Sequence, residues 1–253
     1  MVSNSDVHVL YRDTSALNDA AVELAGRYLS IEERSRRAGL HFEEDRRDFT
    51  IAHDLLRRAL SRYADVPPTD WQFVSNDYGK PSIGNASAQL RTLSFSLSYT
   101  RGCAACAITA STLVGIDVES IDCSREYQCV ADRFFSKEEA SWLRRCSGDL
   151  YSTRFTELWT LKEAFLKAVG IGLSGSLAEA SFRFHDGNRI ELAAPSSGRR
   201  WHFTLFEPTS DVRLAVAVQS IRPRFLFEND DGNEHMPHDA SVIAQGSNPH
   251  RAC

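Results

Sequence analysis

Residues 113–119, Leu-Val-Gly-Ile-Asp-Val-Glu, show the alternation of a β-strand in the middle of the 253-residue chain. Successive side chains of a strand point to opposite faces, so Ile116 and Val118 face a core while Asp117 and Glu119 share the other face. Carboxylates this close raise each other's pKa unless a cation lies between them, and their oxygens suit Mg²⁺. The stretch therefore predicts either a cation site or a solvated strand end.

A long helix is predicted from about Leu150 to Val169, ending at a glycine. Trp159, Glu163 and Lys167 are spaced four residues apart and line one face of this helix. The simplest interpretation is an ion pair beside an aromatic core residue. The rarity of lysine favours a functional interpretation instead, because the chain has only four lysines and two of them lie in this helix.

The first part of the chain is predicted to begin with helices and to continue with a small sheet. Ser30 and Glu33 form a capping-box pattern that opens a short helix, and His53 is predicted to be a half-buried imidazole on a longer one. We expect helices at Leu17–Leu29 and Phe42–Tyr63, then strands at Trp71–Ser75, Leu93–Leu97, Cys103–Ala110 and Leu113–Glu119, the last two joined as a hairpin.

The second part of the chain repeats this plan in outline. Ser136 and Glu139 form another capping-box pattern, between a helix at Arg125–Arg133 and the long helix. Strands are then expected at Ser181–Phe184, Ile190–Leu192, Trp201–Phe206 and Arg213–Gln219.

These elements predict an α+β fold of two pseudo-symmetric halves, each with a small antiparallel sheet and a long helix. The halves are residues 1–111 and residues 112–227, the second carrying the candidate metal site. No residue-by-residue repeat is visible between them. Residues 228–253 lack aromatic side chains and are rich in Gly, Asn, Asp, His and Pro, which predicts a disordered tail.

Composition and charge argue against several classes of protein. The longest wholly apolar run, Cys103–Ile108, is far shorter than the roughly 20 residues of a membrane-spanning helix. The first residues show no basic and apolar regions of a secretory signal, so a cytoplasmic location is expected. The net charge of −5 argues against an electrostatic nucleic-acid binder but is compatible with a local phosphate site.

Five motifs occur together in the order and spacing of one family. They are Tyr78-Gly-Lys-Pro81, Phe95-Ser-Leu-Ser98, Val114-Gly-Ile-Asp-Val-Glu119, Arg133-Phe-Phe-Ser-Lys137 and Trp159-Thr-Leu-Lys-Glu-Ala-Phe-Leu-Lys167. From about residue 25 to about residue 220, the chain resembles a 4'-phosphopantetheinyl transferase of the surfactin-synthetase, or Sfp-type, family. The resemblance implies a monomeric enzyme with coenzyme A bound between the halves. It would transfer the phosphopantetheine arm to a serine of an apo acyl or peptidyl carrier protein, releasing adenosine 3',5'-bisphosphate.

The resemblance also implies the roles of the acidic and basic residues. Asp117, Glu119 and Glu163 would hold Mg²⁺ on the pyrophosphate of coenzyme A, and Lys167 and Lys162 would neutralise its charge. Glu163 is expected to accept the serine proton, directly or through a metal-bound water.

The nucleotide end of coenzyme A is expected to meet residues of the first half. Tyr78, Gly79, Lys80 and Pro81 would embrace the adenine, with Lys80 near the 3'-phosphate. Family members usually have a histidine after the serine that matches Ser98, whereas this chain has Tyr99, which carries no positive charge near neutral pH. Ser98, Lys80 and either Arg36 or Arg37 are therefore expected to bind this phosphate, and Thr50 matches a hydroxyl of the family. Carrier docking is expected on residues 121–135.

Two other functions share these residues. One is a different Mg²⁺-dependent phosphoryl or nucleotidyl transferase, and the other is a catalytically silent module that only binds carrier proteins. The presence of all three acids and Lys167 argues against the silent module. The sequence does not choose between carriers of fatty-acid, polyketide, siderophore or peptide synthesis, nor between Mg²⁺ and Mn²⁺.

Overall fold

The fold is taken from a computed structural model, which describes residues 5–85, 87, 90–124, 127–171, 177–178, 180–185, 189–194, 200–220, 222–230 and 241–247. Two consecutive sets of elements each begin with a strand, continue with three helices and end with strands. The first set is β1 (Asp6–Asp13), α1 (Asp19–Gly26), α2 (Ile31–Ala38), α3 (Glu43–Ser61), β2 (Phe73–Ser75), β3 (Pro81–Ile83), β4 (Leu93–Thr100) and β5 (Cys103–Ala110).

The second set has the same plan. Its members are β6 (Val114–Ser120), α4 (Gln128–Phe134), α5 (Lys137–Leu143), α6 (Asp149–Val169), β7 (Ser181–His185), β8 (Arg189–Ala194), β9 (Trp201–Glu207) and β10 (Val212–Gln219). Two further strands, β11 (Arg224–Asn229) and β12 (Ser241–Ser247), follow. The α+β fold and both capping boxes, at Ser30 and Ser136, are confirmed.

The strands form two main sheets and the small hairpin β2–β3. One sheet has the order β11-β1-β5-β4, and the other has the order β6-β10-β9-β12-β8-β7. Neighbouring strands are antiparallel except in the pairs β1–β11 and β8–β12. The prediction of antiparallel sheets is therefore correct except where the two C-terminal strands join.

The layers follow the order helix, sheet, sheet, helix. Leu55 on α3 packs with Cys106 of the first sheet in one core, and Leu161 on α6 packs with Phe203 of the second sheet in another. A third core between the two sheets includes Ala105. Each fully buried large side chain contributes about 1.5–3 kcal/mol, so three cores stabilise the four-layer arrangement.

A close contact between β6 and α6 depends on Gly115. A Cβ atom at this position would lie 2.0 Å from the carbonyl oxygen of Ala164 and 2.4 Å from the amide nitrogen of Ala168. The missing side chain lets the helix backbone rest directly on the strand. This contact brings the polar face of β6 against α6.

The predicted hairpin between β5 and β6 is wrong. β5 pairs with β1 and β4 in the first sheet, whereas β6 pairs with β10 in the second. The connecting residue Ser111 has a φ of 57°, and its amide donates to the carbonyl of Thr92 as the chain passes between sheets. Both strands are buried on two faces, so their apolar patterns carry no information about pairing.

Among the described residues, the strand β1 precedes the predicted helices. The predicted disordered tail is also wrong for part of its length. β12 inserts between β9 and β8, with Ala244 buried at 4% exposure, while residues 231–240 and 248–253 lie outside the described part. The short apolar run at the start of β12 is stabilised by main-chain hydrogen bonds to strands on both sides. The prediction missed this strand because it used the average composition of the whole tail. No helix in the described ranges is long and apolar enough to span a bilayer.

We expect the Gly115→Ala substitution to lower the free energy of unfolding by about 1–3 kcal/mol or more, because the added methyl group overpacks the α6 backbone. Urea denaturation measures this change. Gly26→Ala is the matched control, since a Cβ there meets only Thr50 Cγ2 at 3.9 Å. Equal stability of the two variants would show that the close contact is not constrained.

Candidate active site

Three acids lie on the elements that meet at Gly115. Asp117 and Glu119 occupy the face of β6 opposite the core residues Ile116 and Val118, as predicted. Glu163 lies on α6 and interacts electrostatically with Asp117 and, across the site, with Glu119. The contact between strand and helix thus gathers the three predicted acids in one region.

A hydrogen-bonded network joins both halves of the chain at Asp117. Its Oδ1 atom accepts from Lys167 Nζ at 2.6 Å and from Ser98 Oγ at 2.9 Å. Lys167 also donates to Ser98 Oγ at 2.8 Å, and the amide of Val118 donates to the same hydroxyl at 3.3 Å. Since Ser98 belongs to β4 of the first sheet, the site is assembled across the interface between the sheets.

Two carboxylate oxygens in this region are buried without a hydrogen-bond partner. They are Asp117 Oδ2 and Glu163 Oε1. Glu119 accepts a hydrogen bond from the side chain of Trp159, which lies on the same face of α6 as Glu163. Leaving buried carboxylate oxygens unpaired is costly, so the arrangement suits a cation as a further partner.

Burial raises the pKa of all three acids, and repulsion by a neighbouring carboxylate adds to the shift at Glu119 and Glu163. Burial raises the pKa of Asp117, although the ammonium of Lys167 opposes the shift. Burial and the charge of Asp117 raise the pKa of Glu119 to about 7. The same two causes raise the pKa of Glu163. As the side chains stand, no three acidic, His or Cys residues of the described chain are close enough to share one ion, so a common site requires side-chain rotation.

The prediction that Lys162 neutralises pyrophosphate charge is wrong. Its side chain is completely buried, and Nζ lies 2.8 Å from Glu139 Oε2. Nζ also donates to the carbonyl oxygens of Leu177 at 2.8 Å and Ala180 at 2.6 Å. One residue along a helix turns the side chain by about 100°, which points Lys162 into the core while Glu163 faces β6.

The turn between β2 and β3 is fastened to the end of α6. Asn76 Nδ2 donates to the carbonyl of Gly170 at 2.9 Å. Lys80 Nζ donates to the carbonyls of Ala168 at 2.7 Å and Val114 at 3.4 Å, and burial lowers the pKa of Lys80 to about 8. Tyr78 projects from this turn with 59% of its surface exposed. The predicted adenine segment therefore borders the helix that carries Glu163.

The other predicted nucleotide contacts lie on α2, α3 and β4. Arg37 Nε donates to Thr50 Oγ1 at 2.9 Å, whereas Arg36 is exposed. Tyr99 packs edge-on against Phe49, and burial raises the pKa of its phenol. The structure thus pairs Arg37 with Thr50. The prediction that His53 is a half-buried imidazole on a long helix is also confirmed. His53 lies on α3, and its Nδ1 contacts Glu33.

A cleft of about 1180 Å³ adjoins Glu119 and Trp159. Its other walls come partly from the predicted docking segment. The remaining wall residues were not predicted, because they lie on separate elements and share no spacing in the sequence. These additional lining residues include Tyr11, Asp13, Arg101, Phe155 and Asp211.

Comparison with known proteins identifies the family. Residues 113–217, which include Asp117, Glu119, Glu163 and Lys167, match the 4'-phosphopantetheinyl transferase superfamily. The 4'-phosphopantetheinyl transferase HetI of Nostoc sp. is 31% identical over 228 residues, covering 88% of this chain and 92% of the relative. This chain belongs to the 4'-phosphopantetheinyl transferase family. It is an enzyme that transfers the phosphopantetheine arm of coenzyme A to a carrier protein.

A second relative agrees with this assignment. The transferase is 30% identical to the 4'-phosphopantetheinyl transferase Sfp of Bacillus subtilis over 192 residues, or 76% of this chain and 82% of the relative. A crystal structure of a holo-(acyl-carrier-protein) synthase from Bacillus anthracis in complex with CoA (3',5'-ADP) is also similar. It is 18% identical with a TM-score of 0.38, over 43% of this chain and 96% of the other.

We expect Glu119→Gln to stabilise the metal-free transferase at pH 8. The pKa of Glu119 rises from its usual 4.5 to about 7 on folding. The folded state therefore binds more protons between these values, and stability falls as pH rises through this window. Removing the charge should raise the free energy of unfolding by on the order of 1–3 kcal/mol at pH 8 and by almost nothing at pH 4.

Urea unfolding of both proteins at the two pH values, with EDTA present, measures the difference. Added Mg²⁺ should reverse this difference in stability, because the ion stabilises only the parent protein. The expectation fails if the variant gains the same stability at pH 4 as at pH 8.

Proposed function

We propose that phosphopantetheinyl transfer by this enzyme depends on Mg²⁺ held by Asp117, Glu119 and Glu163 against the pyrophosphate of coenzyme A. The observation that carries the proposal is the pair of buried, unpartnered carboxylate oxygens at Asp117 and Glu163. The ion would supply charge neutralisation and polarisation of the phosphoryl group under attack. Hard carboxylate oxygens match the ligand preference of Mg²⁺.

Lys167 is proposed to stabilise charge on the pyrophosphate. Its ammonium lies between Asp117 and Ser98, and about one third of the side chain is exposed. A partly exposed cation fixed by two neighbours offers a preorganised charge to an incoming phosphate. Release of the leaving nucleotide then places negative charge next to a positive group that is already in position.

Glu163 is proposed to accept the proton of the attacking serine. Burial and the charge of Asp117 raise the pKa of its carboxyl, which makes the carboxylate a better proton acceptor than an exposed glutamate. The serine comes from the carrier protein, so the transferase itself supplies no nucleophile. The new P–O bond forms as the bond to the departing adenosine bisphosphate breaks.

The nucleotide end of coenzyme A is proposed to lie along the first half of the chain. The exposed ring of Tyr78, with Gly79 and Pro81 beside it, would pack on the adenine. Lys80, which is only half-buried although its ammonium donates to the carbonyl of Ala168, would provide charge near the 3'-phosphate, helped by Ser98 and by the paired Arg37 and Thr50. Arg36 and Tyr99 remain further candidate contacts for the same phosphate.

Carrier docking is proposed on residues 121–135, of which 125 and 126 lie outside the described part. Val130 lines the cleft beside Glu119, and Phe134 packs edge-on against Trp159. Both side chains are half-buried, so they retain apolar surface next to the proposed reaction site. Such a surface fits an apolar helix of a carrier protein whose acids meet nearby arginines.

We expect Glu163→Gln to reduce kcat at least about 100-fold, because the variant loses both a metal ligand and a proton acceptor. Mass spectrometry of an apo carrier incubated with coenzyme A and Mg²⁺ follows the gain of one phosphopantetheinyl group. Glu138→Gln, at an exposed position on α5, is the matched control. EDTA should abolish transfer by the parent enzyme, and Mg²⁺ should restore it. Full transfer by Glu163→Gln, or in EDTA, would overturn the proposed site.

We expect Val130→Ala and Phe134→Ala each to raise KM for the carrier about 5- to 10-fold while KM for coenzyme A stays unchanged. Steady-state kinetics with each substrate varied separately measure the two constants. Leu24→Ala is the control because Leu24 is a half-exposed apolar residue on α1. An unchanged carrier KM in both cleft variants would exclude this docking face.

A further inference from the structure

A buried ion pair next to Glu163 ties several elements together. The ammonium of Lys162 has three acceptors for its three protons, namely Glu139 and the carbonyls of Leu177 and Ala180. Glu139 in turn accepts from the amides of Ser136 at 2.8 Å and Phe182 at 2.7 Å. The pair therefore joins α6 to the N-terminus of α5 and to the start of β7.

The first half contains the same arrangement. Glu33 is the third helical residue after the cap Ser30, just as Glu139 is the third helical residue after the cap Ser136. Glu33 accepts a hydrogen bond from Arg57 Nε at 2.9 Å. Arg57 is almost completely buried on α3, and its Nη1 donates to the carbonyls of Pro68 and Trp71. In both halves the two carbonyls come from residues three apart. This shared network is a residue-level repeat that the sequence alone did not show.

The two networks differ in the residue that follows the buried cation. Arg57 is followed by Arg58, whose guanidinium pairs with Asp54 and Asp230 away from the three acids. Lys162 is followed by Glu163, and its ammonium lies 5.1 Å from the ring centre of Phe135, the last residue of the proposed docking segment. Only the second network therefore has a proposed metal ligand next to it.

We propose that Lys162 is a positioning residue, which fixes the rotation of α6 so that Glu163 faces Asp117 and fixes the end of the docking segment through Phe135. This inference rests on the proposed metal site. A helix clamped at one buried side chain cannot turn about its axis without breaking the three hydrogen bonds of the ammonium. The neighbouring carboxylate is thereby held toward β6.

Three variants test the proposal: Lys162→Met, its counterpart Arg57→Met, and the double variant Lys162→Met/Glu139→Gln. Both single variants remove the cation of a buried glutamate and should lose thermal stability, but the loss should be larger in Lys162→Met because Glu33 keeps its contact with His53. The double variant restores folding because no unpaired charge remains, yet it still lacks the anchors to Leu177 and Ala180. Activity is measured at saturating coenzyme A, well below each melting temperature, and Mn²⁺ binding is measured separately by electron paramagnetic resonance titration.

We expect Lys162→Met and the double variant to lose about 10- to 100-fold in kcat, since a misplaced catalytic group is costly. Both should bind Mn²⁺ about 10-fold more weakly, because loss of a residue that orients a metal ligand commonly lowers metal affinity by this factor. Arg57→Met should keep kcat and Mn²⁺ affinity within about twofold, because no metal ligand adjoins it. Parent-like kcat and Mn²⁺ affinity in the double variant, or an equal loss of kcat in Arg57→Met, would overturn the positioning role.

A parallel Mn²⁺ titration of Glu163→Gln separates this inference from the metal proposal. If that variant binds Mn²⁺ like the parent, the proposed ligand set is wrong. The kcat of the double variant relative to Arg57→Met still decides whether Lys162 positions the site.

Discussion

The backbone contact between β6 and α6 at Gly115 is the constraint on which the site depends. A methyl group there would lie 2.0 Å from a helix carbonyl, so only glycine lets the two elements touch. Two residues further along β6, Asp117 comes within 2.6 Å of Lys167. The distance between strand and helix thus sets the distance between the charged groups, and chemistry and packing share one requirement.

The charged groups are gathered at an energetic cost that the surrounding packing offsets. Burial raises the pKa of Asp117, Glu119 and Glu163, which means that each carboxylate is less stable here than in water. Lys167 relieves part of this cost at Asp117. Three apolar cores hold the elements in place around the strained charges, an arrangement typical of sites built for a ligand rather than for stability.

Local patterns predicted the acids well because each depends on spacing within one element. Alternation along β6 placed Asp117 and Glu119 on one face, and the four-residue repeat on α6 placed Glu163 near them. The same repeat excludes Lys162 from that face. The prediction that Lys162 neutralises the pyrophosphate was nevertheless made, because lysine is positively charged and rare in this chain. The pairing of β5 with β1 and the insertion of β12 were not predictable, because these strands pair with segments distant in sequence.

The position of β12 has a consequence for how the chain is made. This strand lies between β9 and β8, so β7 and β8 have no strand pairing with the rest of their sheet until residue 247 is available. On the ribosome, where folding generally proceeds from the N-terminus, these two strands must wait for β12 before they join the sheet, held until then by side-chain contacts such as that of Phe182 with Phe203. A nascent chain can therefore bury α6 against β6 and β10 early, while the far edge of the same sheet closes last.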